Sequence, residues 1–242
     1  MTQLFEDEKA YLDNKPRQNF VFLAYPYSPP IPLDDYRTVV SELQQEYPIR
    51  LWYFLDELTT NEMMRKIWRA ILRADLAVFD ISGGNPNVAF ELGLSVAANR
   101  TSFTIVKNGE PNPLGSADLG YAERAEYSSV QTLKETLRKI ITAKSSALKV
   151  SREVSYSLYD ENLGKPRSDI ESALTAVLQK VYLNKRVNKQ QAVQVFGGKP
   201  LADLALNALR QKGVLQVEGA KKGAKWVFSN DWVYHDHEVA GL

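Results

Sequence analysis

Leu76-Ala77-Val78-Phe79-Asp80-Ile81-Ser82-Gly83-Gly84-Asn85-Pro86-Asn87-Val88-Ala89-Phe90-Glu91-Leu92-Gly93 reads as a strand, a sharp turn and a helix in immediate succession. The short apolar run ending at Asp80 fits a buried strand. Gly83 and Gly84 let the backbone reverse and let a ligand approach it closely. Asn85 suits a helix N-cap, and Pro86 suits the first helical position. Glu91 follows Asn87 by four residues, so both side chains project from one face of that helix. From Ile81 to Asn99 the only ionisable side chain is Glu91. The helix is thus apolar nearly all round and is expected to be buried between the sheet and a ligand site.

Working outward, the same alternation repeats. Asn19–Ala24 is an apolar strand, followed by the Pro-rich loop Tyr25–Pro30. Asp34–Tyr47 has helical spacing at Tyr36, Val39, Val40 and Leu43. Ile49–Leu55 reads as a strand, and Asn61–Ala74 as a helix with Met64, Ile67, Trp68 and Ile71 on one face. The helix opened by Asn85 extends to Asn99. Ser102–Val106 and Glu123–Ser128 read as strands, with Val130–Ala143 as a closing helix. Strands alternating with helices imply β–α–β units. The expected fold is α/β: a flavodoxin-like parallel sheet covered by helices on both faces. Ligands in such folds bind beyond the carboxyl ends of the strands. The loops expected there are Tyr25–Pro30, Ile81–Asn85 and Lys107–Gly120.

The pattern then changes. Residues 1–18 are polar and read as an N-terminal arm, residues 19–145 as the α/β domain, and residues 146–166 as a polar, weakly patterned linker. Ser168-Asp169-Ile170-Glu171 carries a capping-box signature. Lys189–Phe196 and Leu201–Lys212 fit further helices, separated by Gly197-Gly198. Val214–Glu218 and Lys225–Ser229 fit a hairpin around residues 219–223. Three helices and a basic hairpin make the pattern of a small winged helix-turn-helix domain over residues 167–235. Val181–Lys225 holds nine basic and two acidic residues, so the remainder carries 21 against 27. That asymmetry points to two modules with different partners. Arg210, Lys221, Lys222 and Lys225 are candidates for phosphate contact with nucleic acid. The alternative is a solvated basic face or a protein-docking surface. Trp226 and Trp232 are expected in the core.

Composition excludes several chemistries. There is no cysteine, hence no disulfide, thiolate nucleophile or zinc–thiolate site. The two histidines are His235 and His237, so neither a histidine triad nor a multi-histidine metal site is expected. Phe5-Glu6-Asp7-Glu8-Lys9 is too polar for a secretion signal. No apolar run approaches the roughly 20 residues needed to cross a bilayer. The expectation is a cytoplasmic protein that makes no use of a membrane.

A carboxylate on an apolar helix is costly unless it has a partner or a task, and burial raises its pKa. Glu91 therefore has two readings: a structural acid bonded to a nearby Arg or to backbone, or a chemical one. Asn85 fits a plain helix cap as well as a ligand contact. Asp80 fits a loop cap as well as a ligand group.

The segment resembles the signature of the nucleoside 2-deoxyribosyltransferase-like superfamily and its TIR-like relatives (Toll/interleukin-1 receptor domains). Phe22-Leu23-Ala24-Tyr25-Pro26-Tyr27-Ser28 is similar to the first strand and loop of the transferases, with Tyr25 where glycine is usual. Arg73-Ala74-Asp75-Leu76-Ala77-Val78-Phe79-Asp80 is similar to the passage into the site. Asn85-Pro86-Asn87-Val88-Ala89-Phe90-Glu91-Leu92-Gly93 is similar to the helix bearing the functional glutamate. The likeness covers residues 18–145 and leaves the winged-helix part outside.

The resemblance implies cleavage of an N-glycosidic bond in NAD, a nucleotide or a nucleoside, with Glu91 as the catalytic carboxylate. It implies a substrate held by Tyr25, Ser28, Asp80, Gly83, Gly84, Asn85 and Asn87. In this reading Asp80 and Asn87 meet ribose or base, Tyr25 stacks on the base, and backbone amides of residues 83–87 hold phosphate. No cofactor beyond the substrate and no metal is required. Nicotinamide leaves from a cationic precursor and needs no proton donor, which favours NAD or a similarly activated nucleotide. A nucleobase usually needs a donor, and Asp56 and Glu57 are the remaining acids for that, or simple helix caps. The resemblance further implies a homo-oligomer and a prokaryotic antiviral defence effector. The alternatives are a non-catalytic nucleotide sensor whose basic winged helix binds DNA or a protein, and a self-associating scaffold.

Overall fold

The computed structural model describes residues 17–26, 28–53, 60–110, 123–160, 165–219, 224–229 and 232. Backbone contacts divide the chain into two units. One holds the first sheet and its helices up to Ser145, and the other holds Gln44–Ile49 and Ser146–Val233.

In the first unit, β1 (Arg17–Ala24) leads to α1 (Leu33–Glu46), β2 (Arg50–Trp52), α2 (Thr60–Arg73) and β3 (Ala74–Asp80). A single 3-10 turn (Ser82–Gly84) then precedes α3 (Pro86–Ala97), β4 (Thr101–Lys107), β5 (Glu123–Tyr127) and α4 (Val130–Lys144). The five strands are parallel, in the order β2-β1-β3-β4-β5. This is the flavodoxin-like order, which reverses direction between β1 and β3. The register places Leu23 opposite Val78, and Val78 opposite Phe103.

Strand alternation sorts the side chains. Phe20, Phe22, Ala24, Ala77, Phe79, Ile81 and Val106 pack with Ile67 and Ile71 of α2 and Val88 and Leu92 of α3. Right-handed crossovers put α1 on the opposite face, because β1 to β2 steps the other way along the sheet. Lys134 of α4 pairs with Glu42 of α1 at 2.7 Å, so these two helices are neighbours there.

The sequence reading is borne out for the parallel sheet and the order of its elements. Two local expectations change. Arg17 and Gln18, assigned to the arm, already belong to β1. The second strand is only Arg50–Trp52, and residues 54 and 55 of the expected strand lie outside the described residues.

In the second unit, α5 (Ser146–Asp160) and α6 (Arg167–Asn184) precede β6 (Val187–Asn188), α7 (Lys189–Phe196), α8 (Lys199–Gln211), β7 (Leu215–Glu218) and β8 (Lys225–Phe228). Its antiparallel strands are ordered β6-β8-β7. Most of the stretch read as a polar linker is thus helix α5. Its serines misled the reading. Ser151 and Ser155 are buried, and their hydroxyls donate to the carbonyls of Ala147 (3.5 Å) and Arg152 (2.7 Å) of the same helix.

The expected capping box at Ser168 does not form. The helix starts two residues earlier, with Pro166 at the N-cap and no side-chain cap. A reciprocal box forms instead at Asn188 and Gln191, opening α7. Trp232 is buried and stacked on Phe228 at 5.8 Å, as expected for a core residue, whereas Trp226 is only half-buried. Among the described residues, no helix is long and apolar enough to cross a membrane.

Candidate functional site

The site is sought where the strand order reverses, beyond the carboxyl ends of β1 and β3. Asp80 closes β3 and is fully buried. One carboxylate oxygen accepts from the hydroxyls of Tyr36 and of Tyr127, the latter at 2.5 Å. The other accepts from the backbone N–H (3.0 Å) and hydroxyl (2.5 Å) of Ser82. The Ser82 hydroxyl oxygen accepts from the Lys107 backbone N–H at 2.7 Å, and Lys107 Nζ donates to the Pro30 carbonyl at 2.7 Å. The two tyrosine hydroxyls lie 2.9 Å apart. Burial first, then the neighbouring Asp80 charge, pushes both tyrosines far above the ordinary phenol range, so they stay protonated donors.

This differs from the expectation for Asp80. Its oxygens are filled by protein donors rather than open to ribose. Phe79 and Ile81 point toward α2 and α3, and Asp80 alternates to the face of Tyr36, away from the helix that carries Glu91.

The turn after β3 is built by glycine. Gly83 and Gly84 have φ of +67° and +65°, values L side chains rarely adopt. A Cβ on Gly83 would meet nothing within 4 Å, so dihedral angle alone calls for glycine there. Asn85 caps α3: its side-chain oxygen accepts from the N–H groups of Asn87 (2.9 Å) and Val88 (3.4 Å). The Gly84 N–H donates to Ile81 at 3.1 Å. Two of the amides expected to hold phosphate, those of Gly84 and Asn87, are therefore satisfied within the chain.

Helix α3 buries Val88, Leu92 and Ser95. It is not buried all round: Asn87, Gly93 and Ala97 are exposed, as are Phe90 at 45% and Val96 at 48%. Glu91 lies on the flank of the buried stripe and is half-buried. Burial pushes its carboxyl up to about 7. Among the described residues it makes no hydrogen bond or ion pair. The structural reading of Glu91, an acid bonded to Arg or to backbone, has no bond to support it.

Tyr25 is half-buried and stacks on Tyr36 with ring centroids 4.9 Å apart and planes 22° apart. Tyr53, following β2, approaches Tyr25 at 5.9 Å. Ser28 is exposed in the loop after β1. Topology thus places Tyr25 and the Gly83–Asn85 turn at one sheet edge, with Asp80 beneath it, and Asn87 and Glu91 on the helix that starts there. Arg210 (exposed, on α8) and Lys225 (on β8, opposite Glu218 and Asn188) belong to the second unit. Lys221, Lys222, Asp56 and Glu57 lie outside the described residues.

Sequence reasoning missed Tyr36, Tyr53 and Tyr127 as members of this edge, and placed Lys107 there only as the start of a loop, without a role for its side chain. Lys107 and Tyr127 end β4 and β5, so a rule nominating every strand-ending polar residue would have found them. Tyr36 carried only a helical core signal. Among the described residues, no group of three or more carboxylates or histidines is placed to hold a metal ion.

No protein-family model matches the chain, and no curated protein matches it.

Proposed function

We propose that the first unit cleaves the N-glycosidic bond of NAD or a similarly activated nucleotide, with Glu91 as the catalytic carboxylate. The observation that carries this reading is a desolvated acid with no partner among the described residues, on the helix that starts at the sheet edge where folds of this topology bind ligands. A carboxylate without a resident cation is complementary to a cation that arrives. Breaking the ribose–nicotinamide bond sends its electron pair to the pyridinium nitrogen, neutralising it, and leaves oxocarbenium-like charge on the sugar. The Glu91 carboxylate either stabilises that charge or bonds to the anomeric carbon, and water completes hydrolysis. Exposed Asn87, one turn earlier, is suited to ribose hydroxyls, and Tyr25 and Tyr53 form an aromatic wall for a ring. The resemblance of the Asn85–Gly93 motif supports the same chemistry and the role of a defence effector active as a homo-oligomer.

The test is release of free base from NAD, nucleotides and nucleosides by the full chain over a range of protein concentrations. Release by the wild type and its loss in Glu91→Gln are expected. Undiminished release by Glu91→Gln would remove the assignment.

A second reading concerns the second unit. Its order of helix, strand, helix, helix, strand, strand, with sheet order β6-β8-β7, supports a winged helix-turn-helix. Lys199 and Arg210 lie exposed on α8, and Lys189 pairs with Asp203 at 2.7 Å. This favours duplex DNA as a partner through phosphate contacts, with the first unit acting as a nucleotide sensor. Salt-dependent duplex binding, weakened by Arg210→Glu, is then expected. Affinity indifferent to salt would exclude it.

A further inference from the structure

The turn that launches α3 contains two consecutive left-handed glycines. Glycine is conformationally permissive, so such a turn holds one geometry only if something outside it does the holding. Ser82, immediately before the pair, is that point. Its N–H and hydroxyl both donate to Asp80, and its oxygen accepts from the Lys107 amide. Asp80 is held in turn by the hydroxyls of Tyr36 from α1 and Tyr127 from β5. The carboxyl ends of β3, β4 and β5 and the start of α1 thereby converge on one buried carboxylate. The loop after β1 joins through Lys107 and Pro30. The ring of Tyr36 has a second task, since Tyr25 lies stacked on it.

A hydrophobic core needs none of this. A polar network buried this deeply is tolerated only when every member is satisfied, and it then specifies one arrangement.

We propose that Tyr36 and Tyr127 are positioning residues of the candidate site. By holding Asp80, and through it Ser82, they fix the glycine turn that launches α3, the helix carrying Glu91, while the Tyr36 ring fixes Tyr25. The proposal rests on the glycosidase reading given above. Neither tyrosine touches substrate. Each acts through a neighbour, Tyr127 on the catalytic helix alone and Tyr36 on both the helix and the aromatic wall.

This division predicts a split in the kinetics of NAD cleavage. Tyr127→Phe and Ser82→Ala keep the packing and loosen the turn, so kcat falls with KM nearly unchanged. A loss of about 10- to 100-fold is expected for a displaced catalytic group. Tyr36→Phe behaves likewise, because its ring still supports Tyr25. Tyr36→Leu removes that support as well and raises KM in addition. Ile140→Val, in buried α4 and outside the network, serves as a control for lost stability, with all variants assayed well below their unfolding temperatures.

A wild type that cleaves NAD through Glu91, with Tyr127→Phe and Ser82→Ala within about twofold of it, overturns the positioning role and leaves the glycosidase reading standing. A similar kcat loss in Ile140→Val also overturns it, because lost stability then explains the effect. A wild type without turnover in any assembly state removes both.

Discussion

Glu91 should make the folding stability of this protein depend on pH, in a direction opposite to that of an ordinary ion-paired acid. Burial lifts its carboxyl from 4.5 to about 7, so the folded protein binds that proton more tightly than the unfolded chain does. The contribution of position 91 is therefore most favourable below pH 4.5, declines as pH rises toward 7, and levels off above it. At about 1.4 kcal/mol per pH unit the full displacement corresponds to at most about 3.5 kcal/mol. The side chain keeps some water on one flank, so about 1–2 kcal/mol is the realistic change. Glutamine has nearly the same shape and does not titrate. Urea unfolding of wild type and Glu91→Gln, at several pH values from 4.5 to 8, isolates the effect from every other titrating group. The stability of Glu91→Gln relative to wild type should grow across that range by the amount given. A difference that stays flat with pH would show that Glu91 is well hydrated or paired. That result would remove the physical basis for its assigned role.

Asn85→Ala removes the only side-chain cap of α3 and should cost about 1 kcal/mol, while Asn85→Asp keeps an acceptor at the positive helix end and stays near wild type. Urea midpoints at constant m-value report both. Lys185 ends α6 with φ +62°, so Lys185→Gly relieves about 1–2 kcal/mol of strain against about 0.5–1 kcal/mol of glycine entropy. The net should be a small gain, seen as a raised urea midpoint; a lowered midpoint would mean the Lys185 contact with the Tyr182 ring matters more than the strain.

Much of the first unit was legible because each of its signals is local. A buried parallel strand must be an apolar run, and a helix start needs a cap and tolerates proline, so Leu76–Gly93 announced its own structure. Glu91 stood out because it is the lone charge on an apolar stretch. The helix α5 was illegible because its buried serines bond to their own backbone, which a polarity pattern reads as exposure.

Asp80 shows where sequence reading ends. Its place at a strand end was plain from the residues. Which way its side chain points, and that it meets Tyr36 and Tyr127, 44 and 47 positions away along the chain, follows only from strands and helices that pairing brings together. The chain by itself determined the order of elements in the first unit, the turn and the solitary acid, since propensity, capping and hydrophobic periodicity act between near neighbours. Tertiary structure alone decided that Asp80 is consumed inside the fold while Glu91 is left unbonded among the described residues, because desolvation and hydrogen-bond partners are properties of a packed environment.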